Sequence, residues 1–133
     1  MAKVTGIGGV FFKARRDHAA LAAWYEKNLG IKLESWGGAI LQWTDDHAED
    51  KGLTVWNVAK ADTEWFNPST APFMINYRVD DLAGILEQLA RNGVEIFKGP
   101  ESHENGKFAW VIDPEGNKVE LWEPMLWDDK NRA

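Results

Sequence analysis

The chain has no cysteine, which excludes a disulfide scaffold, thiolate zinc sites and thiol catalysis. No apolar run approaches the ~20 residues of a membrane span. Met1 to Val10 lacks the basic-then-apolar pattern of a secretory signal, so no membrane partner is expected and the cytoplasm is the expected compartment. Positive charge is in deficit: 15 Lys and Arg against 21 Asp and Glu give a net charge of −6. Duplex nucleic acid requires a basic footprint, so it is excluded as a partner. Histidines number only three, with neither the i,i+4 nor the H-x-E spacing of a zinc site. His18 at a helix start and His47 in an acidic loop read as solvated surface. His103, before a strand and beside Glu101 and Glu104, lies on a loop that could fold over a cleft mouth. Ser35, Ser69 and Ser102 lack a nucleophile elbow. Gly6-Ile7-Gly8-Gly9 reads as a glycine-containing strand, because Phe11 stands where a dinucleotide loop needs its last glycine.

What is present is an ordinary globular composition, 44% apolar and 27% charged over 133 residues. A chain of 15.0 kDa should expose ~7,000 Å² folded against ~22,000 Å² unfolded, enough burial for one core. Eight of its 16 aromatic residues are tryptophan, a supply that suits a core or a wall around an aromatic ligand.

The two halves of the chain begin alike. Val4 to Ala14 is a β-rich run, Asp17 a helix N-cap, and His18 to Asn28 a helix that Gly30 stops. Pro72 to Val79 repeats the run, Asp80 or Asp81 the cap, and Gly93 the stop. Asp17 and Gly30 precede Asp80 and Gly93 by 63 residues each. Three strand-like runs follow each helix, at about 31–36, 39–44 and 52–60, then about 94–98, 107–112 and 117–123. Asp113-Pro114-Glu115-Gly116-Asn117 is a strong turn signal between the last two. The pattern predicts one α+β domain of two tandem βαβββ modules: the first at about 4–60, a linker at 61–71, the second at 72–124, and a tail at 125–133. A single helix covers one face of a four-stranded sheet. The uncovered faces must meet each other or a partner, and a cleft between them is the natural ligand site.

This duplication, with Trp24-Tyr25 and Leu29-Gly30, Val79-Asp80-Asp81-Leu82, and Asp113 to Asn117 followed by Val119-Glu120-Leu121, resembles the vicinal oxygen chelate superfamily of glyoxalases, bleomycin resistance proteins and extradiol dioxygenases. The resemblance implies a cleft between curved mixed sheets and a homodimer. It also implies a divalent ion held by ligands on the first and last strands of each module. Glu120 matches the last ligand, but Gly9 or Val10 and Met74 stand at other ligand positions, and residues 4–14, 52–60 and 72–79 contain no His, Asp, Glu or Cys. No metal and no cofactor are expected; Glu120 would be a ligand only if a metal were present.

Strand alternation puts Met74, Asn76 and Arg78 on one face of one strand and Lys118, Glu120 and Trp122 on one face of another. A bulge-free hairpin adds Phe108, Trp110 and Ile112 to that face. The resemblance makes these cleft faces. The candidate ligand-binding set is therefore Met74, Asn76, Arg78, Phe108, Trp110, Lys118, Glu120 and Trp122, with Glu120 also the candidate catalytic carboxylate. Trp36, Trp43, Trp56 and Trp65 are further wall candidates. The competing reading is a plain core with an edge salt bridge from Glu120 to Arg78 or Lys118.

The expected function is metal-free sequestration of a small, flat or cationic aromatic molecule, since an indole face attracts cations. The alternatives are a lyase or isomerase using Glu120 as general base or metal ligand, and a structural or regulatory subunit that uses the cleft only for dimer packing.

Overall fold

The structure is a computed structural model, and it describes residues 2–3, 7–46 and 52–126. Val4 to Gly6, His47 and the tail from Trp127 lie outside the described residues. The elements are α1 (His18–Leu29), a 3-10 turn (Trp43–Asp45), β1 (Ile75–Arg78), α2 (Leu82–Arg91), β2 (Lys98–His103), β3 (Gly106–Ile112) and β4 (Lys118–Pro124).

Both helices start where a side-chain acceptor satisfies a free amide of the first turn. Asp17 accepts from the Ala20 N–H at 3.1 Å, and Asp81 from the Gly84 N–H at 3.0 Å. Gly30 ends α1 in the left-handed region, φ 71°, a conformation glycine adopts without a Cβ clash.

The four strands form one mixed sheet in the order β1-β4-β3-β2, with β1 parallel to β4 and the other pairs antiparallel. This is an α+β architecture. One face carries Ala109, Val111, Val119 and Leu121, all at 2% exposure or less, under Leu82 and Leu89 of α2 and Leu21 and Tyr25 of α1. Removing the fully buried Leu89 side chain would cost about 2–5 kcal/mol, since transfer and cavity terms add. The helices also share a polar seam. Asn28, 2% exposed, accepts from the Asn92 amide on its side-chain oxygen at 3.0 Å and from the Gln88 amide on its carbonyl at 3.0 Å.

The 113–117 turn joins the halves of the chain. The Asp113 carboxylate accepts from the Glu115 and Asn117 backbone N–H groups, the Asn117 side-chain amide and the Tyr25 hydroxyl, all within 3.0 Å. Glu115 accepts from the Arg15 and Arg16 backbone N–H groups, which hold its pKa below the ordinary carboxylate value. An acidic turn on the last hairpin thus anchors the segment that leads into α1.

Two expectations are corrected. The second run of the second half is not at 94–98; β2 spans Lys98–His103, so His103 is the end of a strand rather than a loop residue. Gly99-Pro100 lies inside β2, where a register shift between Lys98 and Glu101 accommodates it, and pairing with β3 resumes beyond. In the first half, the described parts of 4–14, 31–36, 39–44 and 52–60 carry no strand ladder. Between the second and third runs a turn forms, with the Glu34 N–H donating to Gly38 O at 2.7 Å. These segments are apolar at successive positions, Ile40-Leu41 and Val55-Trp56, so as strands they would need cover on both faces. Within the chain, α1 is already committed beside α2. The exposed area of 9774 Å² exceeds the ~7,000 Å² of a compact chain of this mass, and Ile40, Leu41, Trp43, Val55, Trp56 and Val58 are all exposed.

Candidate functional site

The sheet face opposite the helices is built by strand register. Asn76 pairs with Glu120 and Arg78 with Trp122 across β1–β4; Trp110 pairs with Glu120, Phe108 with Trp122 and Ile112 with Lys118 across β3–β4. The hairpin has no bulge, so the even-numbered residues of three strands share one face. Seven of the eight candidate residues, all except Met74, lie in these registered pairs; Met74 immediately precedes β1. The shifted register of β2 adds Lys98, opposite Trp110, Glu101, opposite Phe108, and His103, opposite Gly106. Sequence reasoning placed neither Lys98 nor Glu101 here. The signal that could have found them is the glycine-proline pair, which marks a bulge inside a strand.

The rings form a row. Phe108 stacks on Trp110 at 6.2 Å between centroids with 15° between planes, and on Trp122 at 6.0 Å with 11°. Cations lie against the row: Lys98 Nζ is 5.1 Å from the Trp110 ring centroid, and the Arg78 guanidinium 5.6 Å from that of Trp122. His103 meets Phe108 edge-on at 5.7 Å and contacts Glu101 at 3.1 Å; that contact, with Lys98 nearby, lowers the Glu101 pKa.

Glu120, 7% exposed, sits beneath this row. One oxygen accepts from the Asn76 amide at 2.6 Å and the other from the Trp110 indole N–H at 2.9 Å. Neither edge salt bridge read as the competing arrangement forms here: Arg78 pairs with Asp46 at 2.7 Å, and Lys118 donates to the Trp65 carbonyl at 2.8 Å. Of the four further tryptophans, Trp65 reaches the site through that carbonyl, while Trp36, Trp43 and Trp56 are exposed. A cavity of about 390 Å³ is lined by Trp24, Val94, Phe97, Ile112 and Pro114 among others.

Residues 10–121 match the family described as the Glyoxalase/Bleomycin resistance protein/Dioxygenase superfamily. The chain belongs to this superfamily. Among solved structures, the superfamily domain is similar to the virulence protein STM3117 from Salmonella typhimurium, at 16% identity and TM-score 0.50 over 82% of this chain and 89% of that one, which shows the shared fold. It also matches TnmS3, described as an antibiotic binding protein, from Streptomyces sp. CB03234, at 20% identity and TM-score 0.49 over 84% and 88%. A superfamily member from Sphaerobacter thermophilus DSM 20745 is 30% identical over 37% of this chain, at TM-score 0.35. The chain covers only 40% of that protein and 47% of another solved relative, described as a conserved domain protein. No curated protein gives a significant match.

The divalent ion that the superfamily implies does not fit this donor set. Glu120 is the single ligating side chain at the matched positions, and both of its oxygens are engaged by donors from adjacent strands. Among the described residues no three His, Asp or Glu side chains converge. Nor is any described helix long and apolar enough to cross a membrane.

Proposed function

We propose that this superfamily domain binds and sequesters a planar aromatic small molecule without a protein-held metal. The ligand lies against the Trp110–Phe108–Trp122 row, and Met74, Asn76, Arg78, Lys118 and Glu120 complete the site. The near-parallel stacking of three rings on the sheet face opposite the helices carries this reading. Such a row offers a further ring an offset-stacked contact worth about 0.5–1.5 kcal/mol beyond the area it buries. Glu120 has the geometry of a positioning acceptor, since its two hydrogen bonds fix the Trp110 indole and the Asn76 amide in place. The test is a thermal-shift screen of aromatic metabolites and antibiotics, followed by titration of any hit against wild type and Trp110→Ala. A ligand of the folded state raises Tm, and loss of the ring should weaken its binding.

The second reading, a lyase or isomerase acting through Glu120, requires that carboxylate to leave one of its present donors. Stoichiometric metal in the purified protein that is lost in Glu120→Gln would favour it over sequestration. The working unit in either case is proposed to be a homodimer, supported by the excess exposed area and by the uncovered Ile40, Leu41, Trp43, Val55, Trp56 and Val58. Light scattering at micromolar concentration should give about twice the 15.0 kDa chain mass.

A further inference from the structure

Charge on the aromatic face is distributed unevenly. Arg78 pairs with Asp46, and Lys98 lies 3.5 Å from Glu101. Glu120 has a neutral donor on each oxygen. Lys118 differs. It is 8% exposed, its ammonium donates to one neutral acceptor, the Trp65 carbonyl, and its Nζ lies 5.3 Å from the Phe97 ring centroid. Among the described residues no carboxylate lies within 4.0 Å of it. An ammonium has three donors, so two remain for a ligand. A buried cation that no carboxylate touches is costly, and a like charge beside it raises that cost. Both conditions hold here. Burial first and the neighbouring Lys98 second lower the Lys118 pKa, and Glu120 opposes them in part.

A cationic ligand suits this face poorly. An ammonium on the row would meet two like charges, Lys98 beside Trp110 and Arg78 beside Trp122. An anion placed at Lys118 gives it a touching counter-charge and offsets its repulsion from Lys98 together.

We infer that the ligand is an aromatic acid whose ring stacks on the Trp110–Phe108–Trp122 row and whose anionic oxygen takes the open donors of Lys118. This rests on the aromatic-site reading above and replaces the cation that the sequence alone suggested. Lys118 is then the residue that selects charge, while the indoles select shape.

The experiment compares three probes of one ring system by calorimetry on the full chain: 2-naphthoate, 2-naphthamide and 2-naphthylmethylammonium. Wild type should bind the naphthoate about 10-fold or more tighter than the amide, the span of a charge-assisted hydrogen bond, and the ammonium weakest. Lys118→Met should bring naphthoate to within about twofold of the amide, and Lys118→Arg should restore the preference. Should the amide or the ammonium bind wild type as tightly as the naphthoate, with all three weakened in Trp110→Ala, the inference fails and the aromatic site stands. That ranking needs no variant at Lys118. A naphthoate preference that survives in folded Lys118→Met also overturns the inference. If none of the probes binds, the aromatic-site reading falls and takes the inference with it.

Discussion

Glu120→Met isolates the polar centre of the site, because methionine keeps the volume and apolar stem but removes both acceptors. In the wild type the carboxylate takes the Trp110 indole N–H at 2.9 Å and the Asn76 amide at 2.6 Å. Trp110 is 7% exposed, so its N–H finds no water when the acceptor is gone, and an unsatisfied buried donor costs about 1–3 kcal/mol. Asn76 is exposed enough to rehydrate and forfeits only the bond, about 0.5–1.5 kcal/mol net. Removing a charge from a largely buried position returns part of this, because its desolvation is no longer opposed. The net expectation is a destabilisation of about 2–3 kcal/mol. Glu120→Gln should cost about 1 kcal/mol or less, because the Asn76 amide can turn over and present its oxygen to the new amide while Trp110 keeps its acceptor. Urea unfolding at pH 7 of wild type, both variants and the Asn76→Ala/Glu120→Met double mutant measures these quantities and the coupling between the two residues. An exposed edge salt bridge would contribute only about 0–1 kcal/mol. A Glu120→Met variant within about 0.5 kcal/mol of wild type, with no coupling to Asn76, would refute the hydrogen-bonded centre.

The two tyrosines of the chain offer a pH readout. Burial, with the Asp113 carboxylate nearby, pushes Tyr77 up to about 12, and Tyr25 higher still because its hydroxyl donates to Asp113. A raised folded pKa means stability fully present below the ordinary phenol value of 10.0 and lost as pH rises through the folded values. Absorbance at about 295 nm should therefore show little phenolate at pH 10–11 until the protein unfolds, whereas a native titration centred near the ordinary phenol value would contradict the burial. At Gly106, φ 143°, an added Cβ would stand 2.4 Å from the Glu123 carbonyl and 2.6 Å from the Trp122 indole nitrogen. Gly106→Ala should lose about 1–3 kcal/mol or more in thermal unfolding and shift the environment of Trp122; a variant as stable as wild type would contradict the close approach of β3 and β4 at Gly106.

Legibility in the sequence followed locality. The caps at Asp17 and Asp81, the stop at Gly30 and the 113–117 turn are short-range signals, and all form where the residues place them. Strand alternation also succeeded across the last hairpin, because a bulge-free register puts Phe108, Trp110 and Ile112 opposite Trp122, Glu120 and Lys118. What sequence could not supply was partner choice. Glu120 had cations within reach on its own and the neighbouring strand, and the structure instead gives it an indole and an amide. Gly99-Pro100 hid β2, because a bulge inside a strand and a loop share the same residues. Runs at 39–44 and 52–60 have strand composition, but a strand exists only where another pairs with it, and apolar composition does not name that partner.

The central claim is that a planar aromatic ligand lies on the Trp110–Phe108–Trp122 row, and the indole N–H resonances test it most directly. Protein labelled with nitrogen-15, with indole signals assigned by single Trp→Phe replacements, is titrated with 2-naphthoate. The Trp110 and Trp122 signals should move together along one saturating curve, while those of the exposed Trp36, Trp43 and Trp56 stay in place. Shifts confined to the exposed indoles, with Trp110 and Trp122 unmoved at saturation, would contradict the account.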